Sequence, residues 1–201
     1  MKTRDWLFLG FALGLLVVVI GVALLTAQPY TYQGSLIDPA APAPDFTLTA
    51  PDASAYHLAS QRGKVVLIFF GYTHCPDVCP VTLSEFKAIR QQLGPRADEV
   101  QFLFITVDPE RDTPQLLGEH VALFDPAIIA LSGELPTLQA VWQAYGVTRQ
   151  IKETGGATDY LVEHTARTYL VDKSGNLRLT YPFGFGVPGI AQDLEHLLDE
   201  K

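Results

Sequence analysis

Cysteine is scarce in this chain: 201 residues hold only two, Cys75 and Cys79, and the single methionine is Met1. No third or fourth soft ligand is therefore on offer from Cys or Met, and structural zinc usually wants four protein ligands. Basic residues are few as well, 14 Lys and Arg against 22 Asp and Glu. They form no cluster, and the net charge of −8 argues against nucleic acid as a partner. Internal repeats are absent, and residues 28–44 are the one biased stretch. An acidic surface can still dock on a basic protein, although charge alone names no partner.

Charge is missing altogether from residues 7–27. About 20 apolar residues at ~1.5 Å rise cover a hydrocarbon core of ~30 Å. A signal peptide has a shorter apolar region and a small-x-small cleavage site, which Leu25-Thr26-Ala27-Gln28 matches poorly. The expectation is one uncleaved transmembrane helix over residues 7–27, with residues 1–6 as a cytoplasmic N-terminus. Lys2 and Arg4 precede the run and no Lys or Arg falls in residues 30–45, so the positive-inside rule leaves the bulk of the chain outside. Trp6 and Tyr30 suit the two membrane interfaces. Residues 28–44, rich in Pro, Ala and Gly, read as a linker that holds a domain off the bilayer. The lack of an Arg- and Ser-rich leader favours a bacterial inner membrane, with the domain in the periplasm, over a mitochondrial setting.

Residues 45–201 suffice for one domain with a full core. Phe46-Thr47-Leu48 and Tyr56-His57-Leu58 flank Pro51-Asp52-Ala53 and predict a hairpin. Lys64-Val65-Val66-Leu67-Ile68-Phe69-Phe70 shows no alternation, as in a strand buried on both faces. Val81, Leu83, Phe86, Ile89 and Leu93 then recur at helical spacing from Pro80 to Gly94-Pro95. A second buried strand covers 100–107. After the loop Asp108-Pro109-Glu110-Arg111-Asp112, Thr113 and Pro114 read as N-cap and first residue of a helix. A short strand at 128–131, a helix at 136–145, a loop at 159–164, a hairpin of 165–171 with 177–181, and a helix at 188–198 complete the order. The fold class is α/β: a thioredoxin-like mixed sheet flanked by helices, with an added N-terminal β-hairpin.

The chemistry centres on Gly71-Tyr72-Thr73-His74-Cys75-Pro76-Asp77-Val78-Cys79-Pro80, where the buried strand hands over to the helix. Pro80 suits a first helical position, making Cys79 the N-cap and leaving Cys75 in the preceding loop. Both sulfurs then face the positive end of a helix, which favours thiolates. Three readings stay open. A structural disulfide, the default for two cysteines in an exported chain, closes too short a loop to constrain the unfolded chain much. The other two are a thiol oxidoreductase and a metal site. His164 bears on the choice. It precedes a strand expected beside 64–71, where a thioredoxin carries a proline packed on its cysteines. His57, His120 and His196 fall within hairpin or helix patterns, and His74 points off an extended loop beside Cys75. Two thiolates and one imidazole favour copper, since soft sulfur selects Cu(I) and with nitrogen also holds Cu(II). Three ligands with one side open describe a site that takes up a metal and gives it away.

Phe70 to Pro80 closely resembles the signature of the Sco/SenC family of copper-binding assembly factors for cytochrome c oxidase. Thr106-Val107-Asp108-Pro109-Glu110-Arg111-Asp112-Thr113-Pro114 is similar to a second block, and Asp159-Tyr160-Leu161-Val162-Glu163-His164 to a third. The likeness spans the whole domain after the linker. It implies a thioredoxin-like fold, a single membrane anchor, and copper held by Cys75, Cys79 and His164. It further implies delivery of copper to the Cu-A centre of oxidase subunit II, with other periplasmic copper chaperones or thiol reductases as further partners. Glu163 departs from the family's usual Asp before the histidine but keeps the charge.

The rival from another class is a thiol-disulfide reductase that keeps the Cu-A cysteines reduced, with Cys75 and Cys79 as its redox pair. A peroxidase fits less well, because the Thr expected near the reactive Cys is Tyr72 or Pro76 here. A passive metal sensor would bind without transfer. Asp77 is either a contact near the sulfurs or a solvated turn acid. Asp108 and Asp112 read as loop and cap residues with docking as the alternative, and Arg167 and Asp172 read as structural.

Overall fold

The computed structural model describes residues 10, 12–21, 30–155 and 160–200 of the chain, which divides into two units between Thr31 and Tyr32. Of the expected anchor over residues 7–27, residues 10 and 12–21 are helical, and the rest lies outside the described residues. Among the described residues no helix is long and apolar enough to cross a membrane.

The second unit runs β1 (Ser35–Pro42), β2 (Thr47–Thr49), β3 (Ala55–His57), β4 (Val65–Gly71), α1 (Val78–Leu93), β5 (Val100–Thr106), α2 (Pro114–Ala122), β6 (Ile129–Leu131), α3 (Leu135–Ala144), β7 (Arg149–Glu153), β8 (Tyr160–His164), β9 (Arg167–Val171), β10 (Asn176–Pro182) and α4 (Val187–Asp199). One six-stranded sheet has the order β1-β10-β9-β4-β5-β6. β4, β5 and β6 are parallel, and β9, β10 and β1 add on antiparallel. This is the mixed, thioredoxin-like sheet expected from the element order, with the β2–β3 hairpin as its addition.

β4 sits at the centre because nothing in it tolerates water: all seven of its residues are buried. Its two faces fill different halves of the core. Phe70 packs on Tyr145 and Tyr169, whereas Phe69 meets Phe104 and the ring of His164. Gly71 ends the strand on the Phe69 side. A Cβ there would lie 2.6 Å from the Phe104 ring and 2.9 Å from the Cys79 sulfur, so only glycine lets the sulfur pack against the strand.

Three expectations need correction. Residues 28–44 are no simple tether, since Ser35–Pro42 pairs with β10 as an edge strand. An edge strand bonds on one side only, which is how it accommodates Pro39 and Pro42. Helix α1 begins at Val78 with Asp77 as its N-cap, so Cys79 lies inside the first turn rather than capping it. Pro80 is still harmless there, because first-turn N–H groups have no helical partner to lose. Finally, Tyr160–His164 is strand β8 rather than loop, paired antiparallel with β7. The short apolar content of 149–153 hid that hairpin from any periodicity argument.

The segment before β1 is locked by one buried acid. Asp193 of α4 is fully buried and accepts hydrogen bonds from the N–H groups of Gln33 and Gly34 and from the Tyr181 hydroxyl. Asp193→Ala should strand these donors, at about 1–3 kcal/mol for each buried partner left unsatisfied. A fall in the denaturation midpoint worth roughly 3 kcal/mol is expected. An unchanged midpoint in a urea titration would show that this carboxylate does not hold the N-terminal segment.

Candidate metal centre

Between β4 and α1 the chain turns through Tyr72–Asp77, and the first turn of α1 points its N–H groups at the Cys75 sulfur. The N–H of Cys79 donates to it at 3.4 Å, and the N–H of Asp77 does so as well. Cys75 is half-buried and Cys79 fully buried, and both are free. The default disulfide is therefore not formed. The pair shares one proton unequally. The Cys79 thiol donates to Cys75, and with help from His164 and the helix N–H groups this brings the Cys75 pKa down to about 4. The same hydrogen bond, together with burial, pushes Cys79 far above the ordinary thiol range. One sulfur is thus a thiolate and its neighbour a thiol.

His164 ends β8 above this pair. Its ring lies edge-on to Tyr72, with centroids 5.9 Å apart, and stands within hydrogen-bond reach of Cys75. His164 Nδ1 meets the Thr165 carbonyl at 3.1 Å. A carbonyl only accepts, so Nδ1 carries a proton there, and Nε2 is the nitrogen left to bind a metal. Tyr72, Cys75, Asp77, Val162 and His164 line one open cleft of about 430 Å³. Among the described residues no group of three His, Cys, Asp or Glu side chains could hold a metal ion as it stands. Cys75 instead takes the hydrogen bonds that lower its pKa, from the Cys79 thiol first and then from the His164 ring. The donor types fit copper, and closing on it means exchanging those hydrogen bonds for bonds to metal.

The two acids of the second sequence block lie in the interior rather than on the surface. Asp108 and Asp112 are both buried, which removes a docking role for either. Asp112 accepts from the Thr73 N–H at 3.2 Å, from the Thr73 hydroxyl at 2.6 Å and from the Thr106 hydroxyl at 2.7 Å, holding the cysteine loop onto β5. Burial nonetheless raises its pKa. Asp108 accepts from Arg111 Nε at 2.6 Å and from the Tyr160 hydroxyl at 2.8 Å, holding the start of β8. The Arg111 guanidinium stacks 3.6 Å from the Tyr160 ring centroid. The Tyr72 hydroxyl accepts from the Val162 N–H at 3.2 Å, a direct link between loop and hairpin.

The side chains of the other singled-out residues stay away from the sulfurs. Asp77 is exposed and contributes its backbone N–H. The Glu163 carboxylate is exposed and pairs with Lys152 across the hairpin. His74 bonds Thr73, His57 bonds Thr47, His120 packs between Phe104 and Phe124, and His196 meets Glu200. Arg167 and Asp172 tie β9 to β10 and its turn, as structural residues do. Tyr72, Thr73, Arg111, Arg149 and Tyr160 went unrecognised as site supports. Only a demand for partners around the acids of the second block pointed toward them.

The family model described as SCO1/SenC matches residues 35–199. Apo Sco1 from Thermus thermophilus is 36% identical, with a TM-score of 0.76, covering 86% of this chain and 100% of that one. ScoI of Bradyrhizobium japonicum, solved with copper bound, is 39% identical, with a TM-score of 0.72, covering 79% and 100%. An SCO2-like protein of Rickettsia prowazekii is 34% identical over 131 residues, 65% of this chain and 64% of that protein. The chain thus spans less than two thirds of that curated relative's length.

A depressed pKa keeps the nucleophilic thiolate as pH falls, and loses it only as pH drops through about 4. In the metal-free protein, iodoacetamide should label Cys75 at pH 6 at nearly its pH 8 rate, while Cys79 stays unlabelled until unfolding. An ordinary thiol would slow by about a hundredfold across those two pH units. Mass spectrometry of timed reactions reads both sites, and a Cys75 rate that climbs tenfold per unit would overturn the assigned asymmetry.

Proposed function

The chain belongs to the SCO1/SenC family, and from that premise we propose that it is a copper-binding protein of cytochrome c oxidase assembly, carrying one copper ion on Cys75, Cys79 and His164. One observation carries the ligand assignment: Cys75 and His164 line one open cleft, and Cys79 donates its N–H to the Cys75 sulfur from the first turn of α1. The copper-bound Bradyrhizobium relative, matched over its whole length, supports the choice of metal. The recipient is the Cu-A centre of oxidase subunit II. An incoming cysteine thiolate of the recipient displaces one protein ligand at a time, so copper never leaves for water. The open cleft beside Cys75 and His164 is the side from which such a ligand enters.

Copper binding in this reading releases one proton from the thiol pair rather than two, because Cys75 is already a thiolate at neutral pH. Anaerobic titration with Cu(I), and absorption of thiolate charge-transfer bands with Cu(II), should show one equivalent bound. Cys75→Ser, Cys79→Ser and His164→Ala should each lose stoichiometric binding. A variant lacking His164 that binds as tightly as the parent would sink the assignment.

A second reading draws on the same thiols. An accessible thiolate beside a buried thiol is the arrangement of an attacking and a resolving cysteine. Cys75 would attack a target disulfide, and Cys79, giving up its proton, would then close the Cys75–Cys79 bond and release the target dithiol. Rapid reduction of a disulfide peptide by a protein that binds no copper would favour this reading.

The proposed setting is a bacterial inner membrane, with residues 7–27 as anchor and the domain in the periplasm. It is supported by the charge-free run and by Lys2 and Arg4 ahead of it. Expressed whole, the chain should sediment with membranes after carbonate washing. Release into the wash would count against an anchor.

A further inference from the structure

Strands β7 and β8 form a two-stranded sheet of their own, not hydrogen-bonded to the six-stranded one. The position of His164 over the thiols is therefore set by individual hydrogen bonds between the hairpin and its surroundings, not by a ladder. Tyr160 and Val162 supply two such links on β8. The third comes from β7, at Arg149, which is the direct cross-strand partner of His164.

The Arg149 side chain is 15% exposed and bonded on two of its nitrogens. Its Nε donates to the Val107 carbonyl, and its terminal nitrogen meets Glu110 at 2.7 Å and Asp108 at 3.7 Å. The guanidinium also lies 5.4 Å from the Trp142 ring centroid. Val107 is the key contact, because its own N–H donates to the Gly71 carbonyl at 2.8 Å. Gly71 is the residue against which the Cys79 sulfur packs. A continuous path thus runs from His164 across the ladder to Arg149, then through Val107 and Gly71 to the buried sulfur. Exposed ion pairs are worth little, but a half-enclosed guanidinium that binds a main-chain carbonyl and two acids fixes a geometry.

We propose that Arg149 is a positioning residue for His164, setting how closely the imidazole approaches the thiol pair. The proposal rests on the copper reading above, and its effect is on the nitrogen ligand rather than the sulfurs. A ring whose supporting contacts are lost typically weakens metal affinity by about 10- to 100-fold.

Four full-length proteins test it: the parent, Arg149→Ala, His164→Ala and the double variant, with Arg149→Lys as the conservative change. Cu(I) affinity is read by competition with a chromophoric chelator. Arg149→Ala should lose about 10- to 100-fold in the parent background and almost nothing further in the His164→Ala background, the signature of action through the imidazole. Cu(II) spectra of Arg149→Ala should show weakened nitrogen coupling, and Arg149→Lys should recover part of the loss. Equal losses in both backgrounds, or an unchanged affinity, would overturn the proposal. A copper-independent arm uses NMR of the metal-free protein, following contacts of the His164 ring to Tyr72 and Phe69. These should weaken in Arg149→Ala while core resonances stay put. If the parent binds no copper, the reading above fails and this arm alone decides the role of Arg149: preserved ring contacts would refute it. Arg149→Lys repeats the measurement should Arg149→Ala fail to fold.

Discussion

Two buried carboxylates at the end of β5 hold the working end of this protein together. Burying a charged acid is costly unless it is paired and hydrogen-bonded, so each one gathers donors around it. Asp112 gathers Thr73 and Thr106, and with them the loop that carries Cys75. Asp108 gathers Arg111 and Tyr160, and with them the hairpin that ends in His164. Loop and hairpin are far apart in the chain and belong to different sheets, yet both are referred to the same turn after β5. Removing either acid would strand donors in the interior rather than merely delete a contact.

The same economy of protons governs the thiols. The N-terminus of α1 offers N–H groups and a positive dipole to one sulfur only, because Cys79 lies within the helix and Cys75 before it. Cys79, packed against Gly71 and fully buried, has no water to stabilise a second negative charge. The outcome is a thiolate that is reachable and a thiol that is not. Such a pair serves metal uptake, where the second proton leaves as the cation arrives, and it equally serves attack on a disulfide.

Much of this was legible in advance. The unbroken apolar run of β4, the helical spacing of Val81 to Leu93, and Thr113-Pro114 at the start of α2 were each readable from local chemistry, and the structure agrees except at Val81, which is exposed. Gly71 to Pro80 also identified the cysteine loop. What stayed hidden is long-range or at an edge. β1 carries prolines that a central strand would reject, and only the presence of β10 beside it makes it a strand. β7 is polar and exposed, so no periodicity marks it. Arg149 looks like any surface arginine until β8 is laid against it.

By itself the amino-acid order determined the local elements, the two sulfurs at the mouth of a helix and the soft character of the donor set. Hydrophobic period, capping chemistry and residue type act over a few positions and can be read there. Tertiary structure alone decided that Asp108 and Asp112 are buried brackets, that Cys79 is buried while Cys75 is not, and that His164 lines the same cleft as Cys75. Those facts depend on what water is excluded and on which distant groups meet, and neither is a property of any short stretch of chain.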